Sequence, residues 1–137
     1  RKLKPAGVLV GIVNRQAGPT VLLTQRTAHL KKHAGQISFP GGGWEERDPH
    51  LEATALRETE EEIGLHPQDI EVLGQLSLYE TSTAYGVTPI VGWVEPPIKL
   101  VADPFATGGA RITTCCPTKI ASSGVLPPEC WSTLWIF

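Results

Sequence analysis

A glycine-rich turn followed by a strongly acidic helix, Phe39 to Leu65, constrains this chain more than any other stretch of its sequence. Asp48 and Pro49 predict the start of the helix, because Asp caps free amide groups and Pro at the first helical position loses no needed donor. Gly64 predicts its end, because glycine readily adopts the left-handed conformation that follows a last turn. We therefore expect about four turns of helix between them.

Three carboxylates project from one face of this predicted helix. Glu58, Glu61 and Glu62 follow the spacing i, i+3, i+4, so they are neighbours on the helix surface. Each neighbouring like-charged pair costs about 0.2–0.5 kcal/mol in an isolated helix, and a bound cation would remove that cost. Mg²⁺ and Mn²⁺ take oxygen ligands of this kind. From the three carboxylates alone, a solvated acidic face stays open as the commoner meaning of such a run.

The residues that precede the carboxylates favour a metal site over a solvated face. Gly41, Gly42 and Gly43 allow the backbone to approach a ligand closely and to turn a carbonyl or an amide towards it. Arg57 stands directly before Glu58, where it can pair with a carboxylate and fix its orientation. The stretch is therefore interpreted as a metal-binding, phosphate-cleaving centre.

The acidic helix and the residues before it resemble the motifs of a known family. Arg57 to Leu65, RETEEEIGL, resembles the second half of the Nudix box, Arg-Glu-(apolar)-x-Glu-Glu-x-Gly-(apolar), with Thr59 where an aliphatic residue is usual. In the first half, Gly42 and Asp48 match if the box is one residue longer than usual. That insertion is similar to the coenzyme A pyrophosphatase branch of the Nudix hydrolases. Leu22 to Gly42 resembles the signature that precedes the box in those enzymes.

The resemblance implies a role for each polar residue of the site. The metal ligands for Mg²⁺ or Mn²⁺ are Glu58, Glu61, Glu62 and the backbone near Gly42; the catalytic residues are Glu61, Glu62 and Arg57; the substrate contacts are Arg26, Lys31, Gly41 and Gly42. Glu58 and Glu62 are the first choice as ligands, Glu61 serves a further ion or acts as base, and Arg57 is an orienting group. The implied chemistry is attack of water on one phosphorus of a diphosphate, whose oxygens the ions neutralise.

The branch resemblance implies coenzyme A as the substrate, cleaved to 4'-phosphopantetheine and adenosine 3',5'-diphosphate. Two alternatives stay open. Another Nudix enzyme would cleave a nucleotide sugar, a dinucleotide or a nucleoside triphosphate with the same helix and a different pocket. A metal- and nucleotide-binding module with little turnover is the second, because the acidic residue that the family carries after Phe105 is missing. Glu80, Glu95 and Asp103 are candidates to replace it.

Composition and charge limit the class of protein. A chain of 137 residues with 41% hydrophobic and 19% charged residues is typical of one soluble globular domain. A net charge of -2 gives no electrostatic footprint for nucleic acid or an anionic membrane. We expect an intracellular, soluble protein that acts on coenzyme A or another small nucleotide, with a mitochondrial or peroxisomal location and a homodimer left open.

The remaining stretches predict the fold. Four strands are expected: Ala6 to Val13, buried on both faces; Thr20 to Arg26, which returns as a hairpin; Ile70 to Tyr79, interrupted at Gly74; and Tyr85 to Val94, which Pro89 marks as an edge or a bulge. Strands around one acidic helix, with no βαβ repeat, predict an α+β domain. The resemblance makes this a Nudix-like α/β/α sandwich on a mixed sheet. We expect residues 1–105 to form that domain, and 106–137 to be an atypical C-terminal segment, either disordered or packed on the same domain.

Overall fold

The computed structural model describes residues 2–16, 18–25, 37–98, 100 and 111–115. Helices and strands follow one another in the order β1 (Lys4–Val13), β2 (Thr20–Gln25), β3 (Ile37–Ser38), β4 (Gly41–Gly43), α1 (Leu51–Ile63), a 3₁₀ turn (Pro67–Asp69), β5 (Ile70–Gln75), β6 (Tyr79–Glu80), β7 (Tyr85–Val94) and β8 (Arg111–Cys115). None of the helices in these ranges has the length and hydropathy of a membrane-spanning segment.

The described strands form one mixed sheet. Its order is β3-β2-β1-β7-β5, with β4 paired to β1, β6 to β7 and β8 to β2. β1 and β7 run parallel along their whole length, whereas β1 pairs antiparallel with β2 and β4. β1 is therefore central, and Ala6 to Leu9 are buried, as a continuous apolar run predicts. The predicted β1–β2 hairpin is confirmed, with Gly11 opposite Leu22.

β7 has the predicted bounds, Tyr85–Val94, but it lies inside the sheet between β1 and β5. The prediction that Pro89 marks an edge or a bulge is therefore wrong, because the register shift in the β5–β7 pairing falls opposite Gly92 and Val91. The carbonyl of Pro89 accepts from the Leu76 N–H at 2.9 Å, so its missing N–H falls on the side of β5. Because β5 has already ended at Gln75, a proline there leaves few ladder hydrogen bonds unmade.

Two further strands differ from the expectation. The strand predicted over Ile70 to Tyr79 ends at Gln75, and a separate short strand, β6, follows. The predicted interruption at Gly74 is confirmed by a register shift between Val72 and Gly74. β8 pairs antiparallel with β2 and lies in the segment 106–137, where no strand was predicted. The rest of that segment lies outside the described residues, and the boundary at residue 105 stays a prediction. The described residues contain one α-helix, so the second helical layer of a sandwich is not among them.

α1 begins later than the sequence suggested. The predicted start at Asp48 and Pro49 is wrong, because the helix starts at Leu51 and His50 is its cap. The His50 Nδ1 accepts from the Ala53 N–H at 3.1 Å and so satisfies one free amide of the first turn. Because His50 caps the helix, the Asp48 carboxylate can pair with a side chain further along α1.

The apolar face of α1 packs on the central strands. Gly64 ends the helix as predicted, with φ 72°. The buried cluster below it consists of Leu9, Val13, Leu22, Ile63, Leu65, Ile70 and Val94. Thr59, which occupies an aliphatic position of the box, is 0% exposed and is accommodated because its Oγ1 donates to the Ala55 carbonyl at 2.7 Å. The helix is thereby anchored on β1, with its acidic residues beside β4.

Gly7 sets the distance between α1 and β1. A Cβ at Gly7 would lie 2.5 Å from the Leu51 carbonyl oxygen and 3.2 Å from the Ala55 nitrogen. Both are backbone atoms of the helix, which cannot rotate away as a side chain could. A residue larger than glycine at this position would therefore move α1 as a whole.

Gly7→Ala is expected to lower the free energy of unfolding by about 1–3 kcal/mol, because the helix backbone has to shift to make room. The matched control is Gly43→Ala, since a Cβ at Gly43 meets nothing nearer than Tyr85 Cε1 at 4.0 Å. That variant should change the free energy by less than about 0.5 kcal/mol. Chemical denaturation measures both variants, and equal effects would contradict the close approach at Gly7.

Candidate active site

Arg57 joins α1 to the loop that follows β4. Its Nε donates to Asp48 Oδ1 at 2.8 Å and its Nη2 donates to Asp48 Oδ2 at 2.9 Å, which makes a bidentate ion pair. The pair is largely removed from solvent, with the Arg57 side chain 15% exposed and the Asp48 side chain 4% exposed. Nη2 also donates to the Gly43 carbonyl at 3.3 Å. One guanidinium therefore holds the end of β4, the loop and the helix together.

Asp48 is stabilised in its charged form by a full set of donors. Besides Arg57, it accepts from the Glu45 N–H at 3.0 Å and from Thr54 Oγ1 at 2.9 Å. The hydrogen bonds from Arg57 hold the pKa of Asp48 far below its usual range, although burial alone would raise it. The same pair raises the pKa of Arg57. One signal in the sequence pointed to this ion pair, namely the position of Asp48 in the longer form of the box.

Glu58 and Glu62 lie one turn apart on α1 and face β4. A Cβ at Gly42 would overlap the carboxylate of Glu58, so the glycine backbone lies directly against that group. The Gly41 backbone N–H is close enough to the Glu62 carboxylate to lower the pKa of that group. Both glutamates are half-buried. The structure thus brings together four of the residues that the sequence assigned to one site.

The two half-buried carboxylates are electrostatically unfavourable as they stand. Burial, together with the charge of Glu58, raises the pKa of Glu62 to about 8, and the Gly41 N–H opposes that shift. Burial also raises the pKa of Glu58, although Arg57 Nη1 donates to its Oε1 at 3.0 Å. In the described ranges no arginine, lysine or histidine forms an ion pair with Glu62. A cation between the two groups would stabilise both in the ionised form.

Glu61 shares the helix face but is turned towards two arginines. Its Oε1 lies 3.1 Å from Arg47 Nη2, and its Oε2 lies 3.2 Å from Arg57 Nη1. Within the part of the chain that the structure describes, no three His, Cys, Asp or Glu side chains are grouped to hold an ion. The predicted role of Glu61 as a ligand or base stays a prediction.

Two carboxylates are nevertheless sufficient for the ions that the sequence predicted. Mg²⁺ is usually bound by one or two protein carboxylates, with waters and phosphate oxygens completing its coordination. Glu58 and Glu62 provide two hard oxygen donors on the rigid backbone of α1, and the backbone of Gly42 lies directly against the Glu58 carboxylate. The residues present therefore fit Mg²⁺ or Mn²⁺.

The structure describes only some of the other predicted or alternative residues. Arg26, Lys31 and Asp103 lie outside the described residues. Glu95 follows the end of β7, where it accepts from Trp93 Nε1 at 2.7 Å and from Asn14 Nδ2 at 3.1 Å. Glu80 lies in β6. Sequence reasoning missed Glu45 and Arg47, two loop residues that form ion pairs with each other and with Arg57 and Glu61 of the helix. No periodic pattern in the sequence marks them.

Comparison with known sequences points to one family. The NUDIX domain model matches residues 3–113 of this chain. The uncharacterized Nudix hydrolase NudL of Escherichia fergusonii is 48% identical over 93 residues, which are 68% of this chain and 48% of that protein. NudL of Escherichia coli strain SMS-3-5 gives the same values. The chain therefore spans about half the length of the curated relatives it matches.

Solved structures share the fold at low sequence identity. The C. elegans Ap4A hydrolase binary complex aligns with a TM-score of 0.70 and 15% identity, over 88% of this chain and 86% of that one. RenU, a Nudix hydrolase from M. smegmatis, has a TM-score of 0.70 and 17% identity, over 96% and 81%. The NUDIX domain of Shewanella oneidensis NrtR complexed with ADP ribose aligns with a TM-score of 0.55 and 17% identity, over 89% of this chain and 78% of that one. The predicted α+β Nudix fold on a mixed sheet is confirmed.

Asp48→Asn is expected to lower the free energy of unfolding at neutral pH by about 3 kcal/mol, because Arg57 loses its main partner in a part-buried position. The folded pKa of Asp48 lies below its unfolded value of about 3.9. Its contribution to stability is therefore fully present above that pH and is lost as the pH falls towards the folded pKa. The stability difference between wild type and variant should accordingly shrink between about pH 5 and about pH 2.

Denaturant titrations across that pH range measure the difference. Glu46→Gln, which removes an exposed carboxylate from the same loop, is the control and should change stability by less than about 0.5 kcal/mol. A stability difference for Asp48→Asn that does not vary with pH would be inconsistent with the charged pair.

Proposed function

The chain belongs to the Nudix family, and on that premise we propose that it is a divalent-metal-dependent diphosphate hydrolase. The observation that carries the proposal is the half-buried Glu58–Glu62 pair on α1, set against the glycine backbone of β4. Two like charges in that position, with no basic partner for Glu62 among the described residues, are accounted for by a bound Mg²⁺ or Mn²⁺.

Each residue of the cluster has a distinct role in this proposal. Glu58 and Glu62 hold the ion, which when bound would neutralise diphosphate oxygens and lower the pKa of the attacking water. Arg57 orients Glu58 through its Nη1 hydrogen bond of 3.0 Å. Asp48 in turn fixes Arg57, so the position of Glu58 is set by a chain of charge-assisted hydrogen bonds. No serine or cysteine nucleophile is required.

Glu61 is the proposed base, or a ligand to a further ion. Its carboxylate is exposed to solvent at 46% and lies on the same helix face as the metal pair. To act on a water it has to exchange its present ion pairs with Arg47 and Arg57. Exposed ion pairs are worth little, so the exchange costs less than the release of a buried charge would.

We propose coenzyme A as the substrate, cleaved to 4'-phosphopantetheine and adenosine 3',5'-diphosphate. The support is the resemblance of Leu22 to Gly42 to the signature of that branch. The Asp48–Arg57 pair adds to it, because it matches a box one residue longer than usual. Arg26 and Lys31 are the proposed contacts to the substrate phosphates, and Gly41 and Gly42 allow the diphosphate to approach the backbone. Ap4A and ADP ribose, named with the structural neighbours, are the alternative ligands to test.

The purified chain with Mg²⁺ or Mn²⁺ is expected to convert coenzyme A into these two products, and chelation of the metal should stop the reaction. Glu62→Gln should lower the rate on the order of a hundredfold or more, because a ligand to the ion is lost. Glu71→Gln, which removes an exposed carboxylate on β5, is the matched control and should leave the rate unchanged. Chromatography with mass detection identifies the products.

Other results of the same assay would separate the alternatives. Turnover of ADP ribose or Ap4A in place of coenzyme A would overturn the substrate assignment and leave the diphosphatase in place. Binding of Mn²⁺ without turnover of any of the three compounds would overturn the enzyme in favour of a binding module.

Gly42→Ala is expected to weaken Mn²⁺ binding about tenfold, because the added Cβ displaces the Glu58 carboxylate from its position. The displaced group is the end of a flexible side chain, so the free energy of unfolding should fall by less than about 1 kcal/mol. Gly43→Ala is the control with unchanged binding. Calorimetric titration with Mn²⁺ measures the affinities, and wild-type affinity in Gly42→Ala would argue against Glu58 as a ligand.

A further inference from the structure

Four charged side chains at the rim of the site form a closed ring of alternating sign, which we call the Arg47 ring: Arg47, Glu61, Arg57 and Glu45. Arg47 Nε lies 2.7 Å from Glu45 Oε2, and Arg47 Nη2 lies 3.1 Å from Glu61 Oε1. Arg57 Nη1 lies 3.2 Å from Glu61 Oε2 and 3.7 Å from Glu45 Oε1. Each carboxylate of the ring therefore bridges both arginines.

The two arginines of the ring differ in how firmly they are held. Arg57 is 15% exposed and is anchored by the bidentate pair with Asp48. Arg47 is 62% exposed, and its hydrogen bonds within the described residues go to Glu45 and Glu61. Arg47 is thus the member of the ring that can leave without disturbing the buried network.

The ring holds Glu61 away from the role of metal ligand, which its position on the helix face suggests. Each Glu61 oxygen faces a guanidinium, which neutralises its charge and fixes its orientation. Glu58 and Glu62, on the same helix face, remain as the two carboxylates beside the glycine strand. A divalent ion next to them would attract the Glu61 carboxylate and would compete with Arg47 for it.

We propose that Arg47 is a positioning residue that lowers the affinity of the site for divalent ions by holding Glu61 in the ring. The proposal rests on the metal site of the proposed function. Binding of the ion releases Glu61 from Arg47, and Arg57 keeps its hold on Asp48 and Glu58. Because exposed ion pairs are weak and are screened by salt, the effect of Arg47 is modest and decreases as ionic strength rises.

The test is the dissociation constant for Mn²⁺, measured without substrate by the electron paramagnetic resonance signal of the free ion. Arg47→Gln is expected to bind Mn²⁺ about two- to fivefold more tightly than wild type. Arg15→Gln removes the same charge from an exposed position at the β1–β2 turn. At about 0.15 M salt this control should bind as wild type does, because distant exposed charges are screened.

A second pair of variants separates competition for Glu61 from a general change of charge. In a Glu61→Gln background, Arg47→Gln should leave the dissociation constant unchanged, because the partner through which it acts is absent. The same tightening in both backgrounds, or no tightening in the wild-type background, would overturn the role of Arg47 and leave the proposed metal site intact. Failure of wild type to bind Mn²⁺ would overturn the metal site and this inference with it.

Discussion

The buried ion pair between Arg57 and Asp48 is the interaction on which the geometry of the site depends. Burying two charges is costly, and the cost is offset because Asp48 also accepts from Thr54 and from the Glu45 N–H. The pair ties the loop after β4 to the middle of α1. It also leaves Arg57 Nη1 directed at Glu58 and Glu61. A helix face with several carboxylates is thereby given one fixed arrangement in place of several mobile ones.

Close backbone approach is the second constraint, and it places the pair of carboxylates. A Cβ at Gly41 would lie 2.6 Å from Val8 Cα, and a Cβ at Gly7 would meet the backbone of α1. These two glycines bring β4 and the helix close to the same stretch of β1. Gly42 then lies against Glu58 with no side chain between them. The glycine run thus meets a packing requirement and also places backbone directly beside the Glu58 carboxylate.

Local signals in the sequence predicted the features that local forces decide. The apolar run of β1 and the left-handed Gly64 needed no knowledge of distant residues, and both were confirmed. The predicted start of α1 was wrong because Asp48, a good cap by propensity, forms an ion pair with Arg57 further along the chain. The prediction for Pro89 was wrong because its missing N–H lies on the side of β5, and β5 has already ended at Gln75. The placement of Glu58 and Glu62 beside the glycines followed from the box, whereas the Arg47 ring depends on a loop conformation that no spacing in the sequence encodes.

A crystal of the chain soaked in Mn²⁺, with the ion located by its anomalous scattering, tests the metal site most directly. We expect a peak between Glu58 and Glu62 beside the backbone of Gly42, with carboxylate oxygens within about 2.0–2.3 Å of the ion. A peak elsewhere, or an ion that Glu62 does not contact, would contradict the claim that this pair of carboxylates is the metal site.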